Sequence, residues 1–452
     1  MPATATHRTN ADRRHVVVVG LGRTGLSCAR FLAARGERVV VTDSRREPPE
    51  LAALQALPIR IETHVGGFDE RVLEGARQIV VSPGVSLDEP FLKRARDRGL
   101  EIVGDIELFA RAVQGPVVGV TGTNGKSTVT TLIARMAQAD GRRVRAGGNL
   151  GEPALDLLSG EVGELYVLEL SSYQLETTQT LKLRAATILN ITPDHLDRYA
   201  TLEAYTAAKA RILELCDVAV LNAGDEAVLR LARPGQRTVT FSIDPQRPAD
   251  YGIARDGAAV TLVRRGQPLI ATGEMKIAGL HNAANALAAL AVGEAIGLRD
   301  EHMLVALREF PGLDHRTQWV ADLRGVRFID DSKGTNVGAT LAAVAGFSGP
   351  LVLIAGGEGK NQDFAPLAAA FRGKVHHAVL IGRDAPKIAE ALRGVCALSV
   401  EATMQSAVRR AFEVARAGDT VLLSPACASF DMYRDYHHRG AAFAAAVHGL
   451  AA

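Results

Sequence analysis

Cysteine is scarce, long apolar runs are missing and net charge is close to nil, and each shortage closes a class of function. Cys28, Cys216, Cys396 and Cys427 are the only four cysteines in 452 residues. They lie far apart and form no CxxC pair, which argues against a zinc site or a disulfide framework and fits a reducing cytoplasm. No stretch approaches the ~18 uninterrupted apolar residues of a membrane helix, so no membrane span is expected. Residues 1–14 are polar, with His7, Arg8, Arg13 and Arg14 and no apolar core, so they read as a flexible tail rather than a signal peptide. A formal net charge of +2 gives no support to nucleic-acid binding. What is present is the ordinary composition of a soluble protein, 47% hydrophobic and 23% charged. The length allows about two to four domains.

The chain is organised around residues 117–128. The apolar run 117–120 reads as a buried strand, TGTNGKST at 121–128 follows at once, and 129–139 reads as a helix. Strand, glycine-rich turn and helix frame a phosphate-cradling loop. Gly122 and Gly125 let backbone N–H groups turn inward, and the helix N-terminus adds positive potential. Lys126 has the reach for the outer phosphates, and the Ser127 hydroxyl suits a magnesium ion. Thr123, Asn124 and Thr128 complete the loop. Thr121 stands where such loops usually open with glycine, so the motif is a variant.

Before it, residues 16–19 read as a strand leading into Gly20-Leu21-Gly22-Arg23-Thr24-Gly25, a helix, and a second strand that ends at Asp43. Taken alone this is a dinucleotide fingerprint and suggests NAD, although the same turn can hold any diphosphate. Ser82-Pro83-Gly84 closes a later strand, as a ligand contact or as a structural turn. The alternation of strands and helices predicts a parallel sheet.

After the phosphate loop, the strand 165–168 delivers Glu169 to the position where phosphate-loop proteins hold magnesium. The strand 186–189 ends in Asn190. Thr192-Pro193-Asp194-His195-Leu196-Asp197 then places a histidine between two aspartates, a candidate metal ligand. Lys209 lies on a helix, 202–215, capped by Thr201; by its residues alone it reads as a solvent-facing lysine. Asn282 and Asn285 share a face at the start of an alanine-rich helix, either to touch a base or ribose or to cap the helix. Pro311-Gly312 marks a boundary. The last section alternates again, with DDSKGTN at 330–336, GGEGK at 356–360 and SPACAS at 424–429 after its strands. Lys333, Thr335, Lys360 and Ser429 gather where ligands of such sheets bind, and they suit an anionic amino acid. Arg316, beside His315 at the boundary, reads either as an interdomain salt bridge or as a cation reaching the neighbouring domain's phosphates.

GLGRTG at 20–25, TGTNGKST, LELSSYQLE at 168–176, NITPDHLDRY at 190–199, DDSKGTN and SPACASFD at 424–431 together make the chain resemble the Mur ligases of bacterial cell-wall synthesis, over nearly its whole length. The resemblance implies three α/β domains. These are a Rossmann-like UDP-sugar-binding domain at 15–104, a central P-loop ATPase-like domain with a mostly parallel sheet at 105–311, and a Rossmann-like amino-acid-binding domain at 312–452. It implies a cytoplasmic, monomeric enzyme of peptidoglycan precursor synthesis. That enzyme would join D-glutamate to UDP-N-acetylmuramoyl-L-alanine through an acyl phosphate, using ATP and two magnesium ions. Either mirror image of glutamate suits the charges read here; only the resemblance supplies the D form.

The resemblance also replaces NAD by the UDP-sugar on the first turn. Gly20, Gly22, Arg23, Thr24 and Gly25 would line the diphosphate, and Asp43, Ser44 and Arg45 the uracil, with Ser82 and Gly84 nearby. Lys209 becomes a lysine carbamylated by CO2 and a metal ligand together with Ser127, Glu169 and His195. Lys126, Asn149, Glu169, His195, Lys209 and Arg316 would carry the catalysis, with Asn149 also near the UDP-sugar. Asn282, Asn285, Arg316 and Asp331 fall to ATP, and Thr335, Lys360, Ser429 and Tyr436 to the glutamate. Gly334 stands where that family usually has alanine, a change expected to be silent. Two other readings stay open. One is a ligase that adds another amino acid, or glutamate to a folate; a folate enzyme should lack the first section. The other is a non-enzymatic nucleotide switch, which would need neither Lys209 nor the 424–431 loop.

Overall fold

The structure, a computed structural model, describes residues 14–149, 151–257, 259–277, 279–347 and 349–450. The tail expected over 1–14 lies outside the described residues except for Arg14. Three sheets follow one another along the chain, of five, nine and six strands.

The first sheet holds β1 (His15–Val19), β2 (Val39–Asp43), β3 (Glu62–Val65), β4 (Ala76–Val81) and β5 (Glu101–Val103). Its order is β3-β2-β1-β4-β5, parallel throughout. β1 is HVVVV with every residue buried. A strand covered on both faces reads as a continuous apolar run rather than an alternation. Val16 and Val18 pack with Ala29 and Leu32 of the helix Arg23–Ala34, while Val17 and Val19 pack with Phe91 and Leu92 of the helix Pro90–Asp97. The chain leaves β1 towards β2 on one side and later fills β4 on the other. The crevice at this reversal is where open α/β sheets bind ligands.

The middle sheet holds β6 (Val117–Thr121), β7 (Val144–Gly148), β8 (Leu165–Glu169), β9 (Leu183–Ile188), β10 (Cys216–Asn222), β11 (Arg237–Phe241), β12 (Tyr251–Asp256), β13 (Ala259–Arg264) and β14 (Gln267–Ala271). Its order is β14-β13-β12-β11-β10-β9-β6-β8-β7. Pairing is parallel from β7 to β12 and antiparallel for β12-β13-β14. The helix Leu280–Ala295 is buried along most of its length, its alanines allowing close approach to β9, β10 and the helix Lys126–Ala139. That second helix begins at Lys126 rather than at 129, so the phosphate loop's lysine and serine sit in its first turn. The helix expected over 202–215 is α-helical only as Leu202–Ala210 and tightens to a 3₁₀ turn over Arg211–Leu215.

The last sheet holds β15 (Gln318–Leu323), β16 (Val326–Asp330), β17 (Leu351–Gly356), β18 (Val375–Ile381), β19 (Ala397–Val400) and β20 (Thr420–Leu423). Its order is β15-β16-β20-β17-β18-β19, parallel except for the β15-β16 hairpin. Because β20 lies between β16 and β17, the turns after β16 and β20 become neighbours, although about 90 residues separate them in sequence. Among the described residues no helix is long and apolar enough to cross a membrane, and all four cysteines are free.

Candidate active site

Three cavities open at the carboxyl ends of the sheets and share lining residues. The first, of about 520 Å³, is lined by Gly20, Gly22, Arg23, Thr24, Asp43, Ser44, Arg45, Ser82 and Gly84, and is closed from the middle sheet by Gly148, Asn149 and Gly151. Ser82 faces the cavity while its hydroxyl donates to Gly20 O at 2.7 Å. Asp43 Oδ2 accepts from Leu21 N at 2.6 Å and from Arg45 Nη2 at 2.6 Å, and Oδ1 accepts from Arg45 Nε at 2.9 Å. A dinucleotide fingerprint needs this carboxylate for ribose hydroxyls. Here Leu21 of the glycine-rich turn and Arg45 already donate to both of its oxygens, which gives the NAD reading no support. Gly25 does not line the cavity. A Cβ there would overlap Gly20 O, so its smallness serves helix packing. Phe68 lines the cavity and was not expected; it follows a polar edge strand and leaves no motif.

The second cavity, of about 290 Å³, lies between the phosphate loop and the last sheet. Asn124, Gly125 and Thr128 line it from the loop, Asn282 and Asn285 from the buried helix, and Arg316, Asp331 and Lys333 from the hinge and the turn after β16. Gly125 has φ +85°, a left-handed conformation that a side chain disfavours. Asn190 anchors the loop, its Oδ1 accepting from Asn124 N at 2.8 Å and its Nδ2 donating to Asn124 O at 3.0 Å. Thr121, in place of the usual glycine, donates its hydroxyl to Leu170 O at 2.7 Å and so ties β6 to β8. Asn285 Nδ2 donates to Asn282 Oδ1 at 3.3 Å, so the two amides form a pair facing the cavity rather than a helix cap. Burial pushes the Asp331 carboxyl up to about 7, against hydrogen bonds from Ser424 and from Thr317 N. A Cβ on Gly334 would lie 2.8 Å from both Asp331 Oδ2 and Ser424 Oγ, so an alanine there demands a shift of these two side-chain ends.

The third cavity, of about 280 Å³, joins the other two. It shares Asn149 with the first and Asn124, Gly125, Arg316 and Lys333 with the second. Thr123, Lys126, Ser127, Glu169, His195, Lys209, Thr335, Lys360, Ser429 and Tyr436 also line it. Lys126 Nζ folds back to donate to Gly122 O at 3.0 Å and Thr123 O at 2.8 Å. Burial pulls this ammonium below the usual lysine range, although Glu169 and Asp194 oppose it. Arg316 crosses from the hinge and donates to Ser127 Oγ at 2.7 Å, so its partner is the phosphate loop and not a carboxylate. Glu169 Oε1 accepts from Asn149 Nδ2 at 2.6 Å, and Oε2 is buried without an aligned hydrogen-bond donor among the described residues. Burial alone would raise its pKa; Lys126, Ser127, Asn149 and Arg316 together hold it below the usual carboxylate range.

Lys209 is 2% exposed, which overturns the solvent-facing reading. Its helix lies on the phosphate loop, and Nζ donates to Gly122 O at 2.9 Å. Burial, reinforced by Lys126, holds the amine well below the usual lysine range. His195 sits at φ +56° with its ring 5.1 Å from that of Tyr173. Burial, with Lys360, Lys126 and Lys209, pushes it down to about 4, so the imidazole is neutral at physiological pH. Lys333 Nζ lies 3.9 Å from the centre of the Tyr436 ring, and burial followed by Arg316 pulls it down to about 7. Among the described residues no group of three or more His, Cys, Asp or Glu side chains is gathered for a metal. Glu169 and His195 are the two such residues in the expected set; the other members are a hydroxyl and an amine. Asn336 ends the DDSKGTN motif. It joins Asn124 to Asp194 across the boundary of the last two sheets.

Three family models match in sequence order: the Mur ligase MurD-like N-terminal domain at 14–104, the Mur ligase middle domain at 120–293, and the Mur ligase glutamate ligase domain at 315–427. The UDP-N-acetylmuramoylalanine–D-glutamate ligase of Nitrosococcus oceani is 51% identical, over 95% of this chain and 96% of its own. That of Methylococcus capsulatus is 49% identical, over 97% of this chain and 95% of its own. Among solved structures, UDP-N-acetylmuramate-alanine ligase from Thermotoga maritima superposes with a TM-score of 0.62 at 20% identity, covering 96% of this chain and 99% of that one, which is a likeness of fold. Matches of this extent, on a chain whose three sheets turn their binding ends to one site, establish that it belongs to the Mur ligase family.

Proposed function

We propose that the chain is an ATP-dependent amide ligase of the cytoplasm that joins D-glutamate to UDP-N-acetylmuramoyl-L-alanine in peptidoglycan precursor synthesis. The observation that carries this reading is the sharing of cavity edges: Asn149 lies between the first and third cavities and Arg316 between the second and third. Residues 15–104 would hold the UDP-sugar, 105–311 the ATP and 312–452 the amino acid, so that the three reacting groups meet in the central cavity. The curated relatives named for this reaction match along all three sections.

A carboxylate is a poor electrophile, and ATP turns one of its oxygens into a leaving group. The substrate's alanyl carboxylate, passing Asn149, attacks the γ-phosphorus and ADP departs. The glutamate amine then attacks the acyl carbon of the acyl phosphate, and phosphate leaves from a tetrahedral intermediate. Lys126, released from the loop carbonyls, and Arg316 would neutralise charge on the transferring phosphoryl group. Asn282, Asn285 and Asp331 would hold the nucleoside. Thr335, Lys360 and Ser429 would take the glutamate carboxylates, with Tyr436 packed alongside. Much of the rate enhancement comes from holding these groups in register.

The donor set fits magnesium. Glu169 Oε2 is a buried carboxylate oxygen without an aligned hydrogen-bond donor among the described residues, the kind of ligand an oxygen-seeking cation takes. The Ser127 hydroxyl and neutral His195 would complete it with Lys209, whose depressed pKa leaves amine free to add CO2 and become a carboxylate. Two magnesium ions held there would offset the phosphate charge.

The test is phosphate release from ATP and magnesium with UDP-N-acetylmuramoyl-L-alanine, given D-glutamate, L-glutamate or other amino acids in parallel. Release with D-glutamate alone is expected. Release with a different amino acid would overturn the substrate, and none with any acceptor would overturn the ligase.

A further inference from the structure

The helix Tyr436–His448 carries Arg439, which is 1% exposed and lines none of the three cavities. Among the described residues no carboxylate lies within ion-pair distance of it. Its guanidinium is spent on two loops. Nε donates to Ser332 Oγ at 3.0 Å, Nη2 donates to Ser332 O at 2.7 Å, and Nη1 donates to Cys427 O at 3.0 Å. Ser332 Oγ in turn donates to Tyr436 O at 2.8 Å, closing the loop back onto the start of the helix.

The two loops are those that β20 brings together by lying between β16 and β17. Ser332 sits between Asp331 and Lys333, on the nucleotide side. Cys427 precedes Ser429, on the amino-acid side. A buried cation is costly to keep, and an apolar side chain would fill the same space at less cost. Burial pushes this guanidinium down to about 10, which leaves it cationic at neutral pH. Its planar fork suits two acceptors held at a fixed spacing, as a flexible ammonium does not.

We propose that Arg439 is a positioning residue that fixes the loop bearing Asp331, Lys333 and Thr335 against the loop bearing Ser429, and thereby sets the glutamate site relative to the nucleotide. This rests on the reading of the last domain as the glutamate site. Arg439 acts through the loops and touches no substrate.

Steady-state kinetics of Arg439→Lys and Ser332→Ala, with the folded fraction followed by thermal melting, test it. Arg439→Lys keeps the charge and loses the fork. It is expected to raise the KM for D-glutamate about tenfold and that for ATP by less. The KM for UDP-N-acetylmuramoyl-L-alanine should not move, because no residue of either loop lines the first cavity. Ser332→Ala is expected to shift the same two constants about threefold in the same direction. A purely structural arginine would lower kcat with the folded fraction and leave all three KM values in place; that outcome overturns the proposal. If Arg439→Lys does not fold, Ser332→Ala alone decides. Wild-type enzyme that takes a different amino acid would instead overturn the glutamate reading, and the KM comparison then runs with that amino acid.

Discussion

Lys360 donates to Asp194 Oδ1 at 2.7 Å, across the boundary between the last and middle sheets. The other oxygen accepts from Asn336 Nδ2 at 3.1 Å, and Asn336 exchanges amide hydrogen bonds with Asn124 of the phosphate loop at 3.3 and 3.2 Å. Burial alone would raise the Asp194 pKa, and Lys360 and His195 hold it below the usual range. The lysine proposed for the glutamate carboxylate is therefore already matched by a carboxylate in a closed polar clasp. Asp194→Ala is expected to loosen that clasp, enlarging the radius of gyration of the ligand-free protein in small-angle scattering, with ATP and the UDP-substrate recovering compactness. Identical scattering from variant and wild type would show that other contacts hold the domains. Lys360→Ala should raise the KM for glutamate about 10- to 100-fold, the range for losing a charge-assisted hydrogen bond.

The phosphate loop gives a second prediction. Gly125 has φ +85°, and a Cβ there would overlap Asn285 Oδ1. Gly125→Ala therefore combines left-handed strain of roughly 1–2 kcal/mol with displacement of an amide facing the cavity proposed for the nucleotide. The expected outcome is a rise of at least about tenfold in the KM for ATP with the KM for the UDP-substrate unchanged. An ATP constant within twofold of wild type would show that the loop relaxes freely.

Much of this fold was legible because its interior strands are buried on both faces. HVVVV of β1 and LVLIAG of β17 are continuous apolar runs, and each marks its strand in the sequence. Glu62–Val65 is half exposed and has no apolar run to mark it, and it is an edge strand. The same holds at the other edges, β5, β7, β14, β15 and β19, which lack one neighbour and so need no apolar run. Among the interior strands β12 carries little apolar signal, since only Tyr251 of its YGIARD stretch is buried. The site was legible where a motif stands at a strand end. Lys209 was not, because nothing in its neighbours tells which face of the helix meets the phosphate loop. Nor was Arg439, a lone arginine whose three acceptors come from residues about a hundred positions and a dozen positions away.

Lys209 carries a third prediction. Its amine is buried, held well below the usual lysine range, and within 2.9 Å of Gly122 O. Addition to CO2 would form an N–C bond and release one proton, leaving a carboxylate beside the phosphate loop. Lys209→Ala is expected to lose activity by about a hundredfold or more, and formate or acetate to restore part of it. In wild type, ¹³C-labelled bicarbonate should give a carbamate resonance that the variant lacks. Full activity without added carboxylate would remove the carbamate from the mechanism.

The last prediction concerns stability. Asp105 begins the helix Asp105–Ala110, where Oδ2 accepts from Gln174 Nε2 at 2.9 Å and Oδ1 is buried without a hydrogen-bond partner among the described residues. Burial pushes this carboxyl up from 3.8 to about 6, outweighing the Gln174 hydrogen bond. Folding therefore takes up a proton between those two values. The stabilising contribution is fully present below the unfolded-state pKa and is lost as pH rises through the folded one, a swing of about 3 kcal/mol at most. Asp105→Asn holds the group neutral at every pH and should escape the loss. Urea midpoints of the two proteins should converge near pH 4 and separate in favour of the variant by pH 7. A separation that is constant with pH would mean that Asp105 titrates alike in the folded and unfolded chains, and that its burial is relieved by solvent reaching the junction of the first two sheets.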